Sequence, residues 1–211
     1  MGTSTIFDII GSAIVAGLLL LTALRLNAQA NETSLIYNGS VRLQQNMVVL
    51  VEWIEDDFRR IGYCQNYTKI PFPTQAIRIA GATDIRFWTD EGNDGTLDSI
   101  RWYIGATNDP AMPSTPNPRD RMIYRQVNNI APVGWNLGVT KFLLTYYDYG
   151  GDELATPVAQ PSAIYSMRIE VTCETPFTFQ EQYRAMGGAD TSDFQVHWQQ
   201  LRMAAKNLRN R

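Results

Sequence analysis

The spacing of hydrophobic positions changes twice along this chain. From Ile6 to Leu24 the sequence is apolar apart from Asp8, Ser12 and Thr22. From Leu43 to Ile61 the apolar residues Leu43, Met47, Leu50, Ile54, Phe58 and Ile61 recur at steps of three and four, one stripe of an α-helix. Val48, Val51 and Trp53 widen that stripe, and Arg42, Gln45, Glu52, Asp56, Arg59 and Arg60 occupy the opposite face. No proline occurs before Pro71, so one helix is expected from about Thr3 to Ile61, roughly 85–90 Å long. The stretch from Asn27 to Ser40, with Asn31, Asn38 and Gly39, is its weakest part and a place for a bend.

Past Cys64 the period becomes two. Ile85 and Phe87 alternate with polar neighbours, and so do Ile100, Trp102 and Ile104. The segment from Thr89 to Thr96 between them is dense in Asp, Asn and Gly, so a β-hairpin is predicted. Residues from Asn108 to Arg119 carry Pro110, Pro113, Pro116 and Pro118 and read as a surface loop. Further strands are expected over Met122–Val127, Thr140–Tyr147 and Ala163–Cys173, the last with Tyr165, Met167, Ile169, Val171 and Cys173 on one face. Asp193–Leu208, with Phe194, Trp198, Leu201 and Met203, reads as a short helix or a closing strand and tail. The fold class is therefore α+β: a long N-terminal helix packed on an antiparallel sheet. Its parts are an apolar helix over 1–26, an amphipathic continuation over 27–61 and a β-rich head over 62–211. The stripe from Leu43 to Ile61 is expected to lie on one sheet face, the one ending at Cys173.

Composition narrows the function classes. The chain has 211 residues, 45% hydrophobic and 18% charged, with a net charge of −3. A nucleic-acid binder would show a basic face. The basic cluster here is the tail, Arg202, Lys206, Arg209 and Arg211, which reads as a solvated helix end or a patch for an acidic partner. The apolar start is long enough to cross a bilayer. A secretory signal is the other reading, with a cut after the Ala28 to Ala30 triplet, but the five residues before the apolar run have no Lys or Arg. Asp8 is costly in hydrocarbon and calls for a partner, an amino terminus being the nearest.

Chemistry-bearing motifs are sparse. Asp90, Asp94 and Asp98 approach the spacing of a calcium loop, but Gly92 takes a ligand position and Arg101 stands where a bidentate Glu belongs. Hairpin turn and weak calcium site are the two readings. Cys64 and Cys173 are the two cysteines. If the head lies outside the cytoplasm, a disulfide between them would staple the helix end to a late strand and contribute about 4–5 kcal/mol. Two buried thiols are the alternative. Asn31, Asn38 and Asn66 head Asn-X-Ser/Thr triplets. Glu52, Glu55, Asp56 and Asp57 are expected to form solvated pairs with Arg59 and Arg60. Tyr146, Tyr147 and Tyr149 read as sheet residues or as a carbohydrate platform. His197 has no nucleophile near it in sequence. No catalytic constellation is read, so no enzyme activity and no cofactor is expected.

The apolar start from Ile6 to Leu24, its proline-free continuation to Ile61 and the β-rich head resemble the type IV pilin superfamily. Within it the head is most similar to the minor pilins and J-type pseudopilins. The turn and strand from Asp90 to Ile104, the strand ending at Val127 and the segment from Gly138 to Tyr147 carry that likeness. The resemblance implies a structural subunit of a pilus-like or pseudopilus filament. Such a subunit waits in the cytoplasmic membrane, is processed by a prepilin peptidase, and joins copies of itself or other pilins in an extracellular or periplasmic filament. Assembly residues on this reading are Asp8, Gly11, Ala13, Ala16, Gly17, Leu18 and Leu21, the small ones allowing close helix approach. Where the family usually has Glu at the fifth mature position, this chain has Thr5 if it starts at Met1 or Phe7 if Gly2 is the last leader residue, and Asp8 is the nearby acid that can substitute. A single-span membrane-anchored binding or adhesin head is the alternative.

Overall fold

The computed structural model describes residues 2–70, 72–113, 115, 117–175, 196–204 and 207, the side chains at 3–5, 32, 35, 36, 196 and 198 excepted. Helix α1 spans Thr3–Arg59, one helix as expected, running through the Asn27–Ser40 stretch. The chain divides into two compact units, Met1–Val41 and Arg42–Arg211. The first unit is helical. Among the described residues the second holds the end of α1 and nine strands.

Those strands form two antiparallel sheets. The first is a meander of β1 (Ile77–Ala80), β2 (Asp84–Thr89), β3 (Asp98–Ile104), β4 (Ile123–Val127) and β5 (Val133–Trp135). The second comprises β6 (Val139–Tyr147), β7 (Glu153–Leu154), β8 (Ser166–Glu174) and β9 (Val196–Met203), in the order β7-β6-β8-β9. The predicted hairpin is β2–β3, with Ile85 opposite Trp102 and Phe87 opposite Ile100. Pro110, Pro113 and Pro118 lie in the β3–β4 connection, and Pro116 lies outside the described residues. The end of the chain contributes a strand, β9. Residues 193–195, 205, 206 and 208 of that expectation, and Lys206, Arg209 and Arg211 of the basic tail, lie outside the described residues.

The helical stripe is the centre of the head's core. Leu43, Met47, Leu50, Ile54, Phe58 and Ile61 are all buried, and Val51 joins them. They pack in one cluster with Ile85, Phe87, Ile100 and Trp102 of the first sheet and with Phe142, Leu144, Met167, Ile169 and Val171 of the second. The expectation of a single sheet face under the stripe is thus corrected to two. A helix flanked by Val51 as well as the stripe is apolar over a wide enough arc to serve both. Val48 and Trp53 were expected in the stripe but are 51% and 42% exposed.

Burying Phe58, whose ring meets Phe87 edge-on at 5.5 Å, stabilises the head by about 3–5 kcal/mol relative to Ala. Gly138 marks where the stripe begins. Its φ is +76°, and a Cβ there would lie 2.6 Å from the Glu174 carbonyl and 3.2 Å from Leu43 Cδ1. Only glycine lets β6 start this close to both.

Candidate functional site

Ile6–Asn31 of α1 is long and apolar enough to cross a membrane, and none of it is buried in the chain. The large apolar side chains from Ile6 to Leu26 are between 51% and 72% exposed. Its two hydroxyls are satisfied within the helix. Ser12 donates to the Ile9 carbonyl at 2.9 Å and Thr22 to the Leu19 carbonyl at 2.8 Å. Such back-bonding leaves the surface without a polar demand from either residue.

The predicted assembly residues Asp8, Gly11, Ala13, Ala16, Gly17, Leu18 and Leu21 are all exposed on this segment. Helical geometry sorts them onto two faces. Asp8, Gly11 and Leu18 share one, and Ala13, Ala16, Gly17 and Leu21 share the other. Nothing stands within 4 Å of a Cβ built at Gly11 or Gly17, so both small positions are open to close approach. Asn31 donates its amide to Asn27 Oδ1 at 3.0 Å, and Asn66 Oδ1 accepts from the Thr68 N–H and hydroxyl.

Asp90 is fully buried at the head of the β2–β3 turn. Its carboxylate accepts from the backbone N–H groups of Gln65 (3.1 Å), Asp94 (3.0 Å) and Gly95 (2.8 Å), and from the Cys64 thiol at 3.8 Å. Desolvation pushes its pKa up, but these N–H groups outweigh it and hold the carboxyl below its ordinary 3.8. Asp94 accepts from Thr96 N, and Asp98 from Glu91 N and Asn128 Nδ2. Of the two readings of Asp90, Asp94 and Asp98, these bonds favour the hairpin turn. Their oxygens face N–H donors that close the turn, and a cation cage needs those lone pairs turned toward one point. Among the described residues no three His, Cys, Asp or Glu side chains gather as a metal site.

The expected Cys64–Cys173 disulfide is also corrected: both residues are buried thiols. Cys173 pairs in register with Val139, next to Gly138 and so at the Leu43 end of the stripe. Cys64 follows the other end, tied there by Gly62 N to the Trp88 carbonyl and Asp90 N to the Tyr63 carbonyl. The helix rises about 24 Å between Leu43 and Arg59, whereas bridged cysteines need Cα atoms within about 7 Å. Burial pushes the Cys173 thiol up to about 12, aided by the charges of Asp120 and Glu174.

Asp57 was grouped with the solvated carboxylates, and that too is corrected. Glu55 pairs with Arg59 and Asp56 with Arg60 as expected. Asp57 is instead buried. It accepts from Trp102 Nε1 at 2.6 Å and, with both oxygens, from Arg125 at 2.6 and 3.0 Å. Arg125 also reaches Glu91 at 2.6 Å. Burial pulls the Arg125 guanidinium down, but its bonds to Asp57 and then Glu91 leave it above its ordinary value. The signal for Asp57 was its place three after Ile54 and four before Ile61, inside the apolar stripe.

A cleft of about 300 Å³ lies over this group, lined by Trp53, Asp56, Asp57, Arg125 and Trp135. Its floor is an ion pair already satisfied by the protein's own groups. The candidate tyrosines are dispersed: Tyr146 is buried, bonded to the Gly81 carbonyl, while Tyr149 is 82% exposed. His197 sits on β9 opposite Cys173. Comparison with protein-family models, with curated proteins and with solved structures gave no match.

Proposed function

We propose that this chain is a structural subunit of a type IV pilus-like or pseudopilus filament, assembled by bundling of its N-terminal helices. The supporting observation is the division of labour along α1. Its C-terminal part is used up in the core of the head, while none of Ile6–Asn31 is buried among the described residues. An apolar surface of that length is not stable in water, since about 25 cal/mol is lost per Å² left exposed. Lipid first and copies of the same helix later are the two environments that relieve it. The open faces at Gly11 and at Ala13, Ala16 and Gly17 favour close van der Waals packing between helices once lipid is left behind.

On this reading the subunit resides in the cytoplasmic membrane before assembly and in a cell-surface or periplasmic filament afterwards. Its partners are copies of itself or other pilins, and its role is structural, not enzymatic. The resemblance in the sequence supports the same conclusion. The test is electron microscopy of sheared cell-surface material, with mass spectrometry of the purified filaments. Peptides of this chain in filaments are expected. Full-length protein that stays a dispersed monomer in lipid and in sheared material overturns the reading.

A further inference from the structure

Asp8 and Arg25 are the charged residues between positions 1 and 31, and they are opposite in sign. The residues between them, Ile9 to Leu24, carry no charge. Both side chains are exposed on α1, and among the described residues neither forms an ion pair. They cannot meet each other within one helix, which separates them by about 25 Å. A lone charge inside a packed apolar bundle is strongly unfavourable unless paired. Copies packed parallel and in register would place Asp8 against Asp8, two like charges.

We infer that the partner of Asp8 is Arg25 of a second copy of this chain, displaced along the helix axis by about 25 Å. The inference rests on the filament reading and specifies its contact. Charge complementarity selects the occupant, because Arg25 is the one cationic side chain between positions 1 and 31, and it selects the offset, because pairing with a neighbour's amino terminus instead would need a displacement of only about 10 Å. The geometry has a second consequence. Asp8 and Arg25 point about 100° apart around the helix, so the contact joins two different faces of the chain. A contact between unlike faces that also includes a translation cannot close into a ring. Each copy offers Asp8 to one neighbour and Arg25 to another, and the pairing propagates as an open helical array.

The experiment uses full-length chain in its native membrane and in filaments, with Asp8→Cys and Arg25→Cys made singly and together, followed by oxidation. The double variant is expected to give a ladder of cross-linked multimers, and each single variant none. Cross-linked dimers from Asp8→Cys alone show register packing and overturn the inference while leaving assembly intact. A double variant that stops at dimers shows a closed antiparallel pair and also overturns it. So does a double variant that makes filaments without a ladder. Charge variants give an independent arm. Asp8→Arg and Arg25→Asp should each abolish filaments, and the two together should restore them, with head unfolding unchanged throughout. Wild-type chain that forms neither filaments nor chemically cross-linked multimers overturns the filament reading itself.

Discussion

Trp102, buried in the middle of β3, donates its indole N–H to Asp57 of α1 across 2.6 Å. Arg125 of β4, directly opposite Trp102 in the sheet register, grips the same carboxylate. One acid on the helix thus ties together neighbouring residues of two strands. Hydrophobic burial alone would let the helix slide or turn on the sheet. The Asp57 contact fixes its rotation and height, since each of its oxygens is committed to a donor of fixed direction.

Removing that acid should therefore cost more than an ordinary surface ion pair. Asp57→Ala leaves the Arg125 guanidinium and the Trp102 N–H without their acceptor. Breaking a buried pair costs about 3–5 kcal/mol. Arg125 keeps Glu91 and is 21% exposed, so the lower end of that range is expected. Trp102→Phe should cost less, because Asp57 keeps Arg125. Urea unfolding of the head checks both. An Asp57→Ala midpoint equal to wild type would show that the contact is a passive consequence of packing.

Asp90 makes the stability of the head sensitive to acid. Its carboxyl titrates below its ordinary 3.8 in the folded state, through the N–H groups gathered around it. A depressed acid contributes stability above the unfolded pKa and loses it as pH falls through the folded one. The contribution of Asp90 to stability should thus be level above about pH 5 and fall below 3.8. Asp90→Asn should be less stable at neutral pH, and its deficit should shrink as pH drops below 3.8. Thermal melts at a series of pH values read this directly. A deficit that stays constant down to low pH would assign the loss to altered packing.

Much of the fold is legible in the sequence, for a physical reason. The stripe from Leu43 to Ile61 and the alternation around Ile85, Phe87, Ile100 and Trp102 report which side of an element faces a core, and periodicity carries that information. Partner identity is carried much less. Two sheets share the helix because Phe142, Leu144 and Met167 pack on it alongside Ile85 and Trp102, and no local pattern says which strands join which sheet. Asp57 is ambiguous in the sequence because its charge argues for solvent and its position argues for the core. Its neighbours in the stripe had already placed it inside. Asp90, Asp94 and Asp98 were ambiguous because a turn and a cation loop draw on the same residue types. The direction of their oxygens, toward N–H groups, decides the matter, and spacing does not encode it.

The cysteines offer a direct check on the arrangement of the two sheets. With Cys64 and Cys173 at opposite ends of the stripe, the purified protein should hold two thiols whether or not it has met an oxidant. Alkylation under denaturing, non-reducing conditions should add two groups per chain by intact mass. In the folded state both should react slowly. Cys173 is fully buried, with its thiol pushed up to about 12, and little thiolate exists at neutral pH. A chain that takes no label after unfolding would mean a bond forms, and the placement of β6 and β8 against the helix would have to change.

Asp120 is expected to give the opposite pH response to Asp90. It is buried beside Glu174, and its Oδ1 has no hydrogen-bond partner among the described residues. Burial raises its pKa and the charge of Glu174 adds to the rise, while a bond from Thr115 offsets only part of it. Glu174 itself is held by Asn117 Nδ2 at 2.9 Å and Arg119 Nε at 3.0 Å, so Asp120 is the acid left under-satisfied. For an acid raised by folding, the ionised form opposes the fold. The contribution of Asp120 is most favourable below the unfolded value of 3.8 and declines as pH rises through the folded pKa. Asp120→Asn removes that charge at nearly constant shape. The variant should melt higher than wild type at neutral pH, and the gain should vanish as pH falls toward 3.8. Melting curves of the two proteins across that interval decide it. A variant that melts lower at every pH would show that the Asp120 carboxylate is held by contacts stronger than the Thr115 bond and contributes to the fold in its charged form.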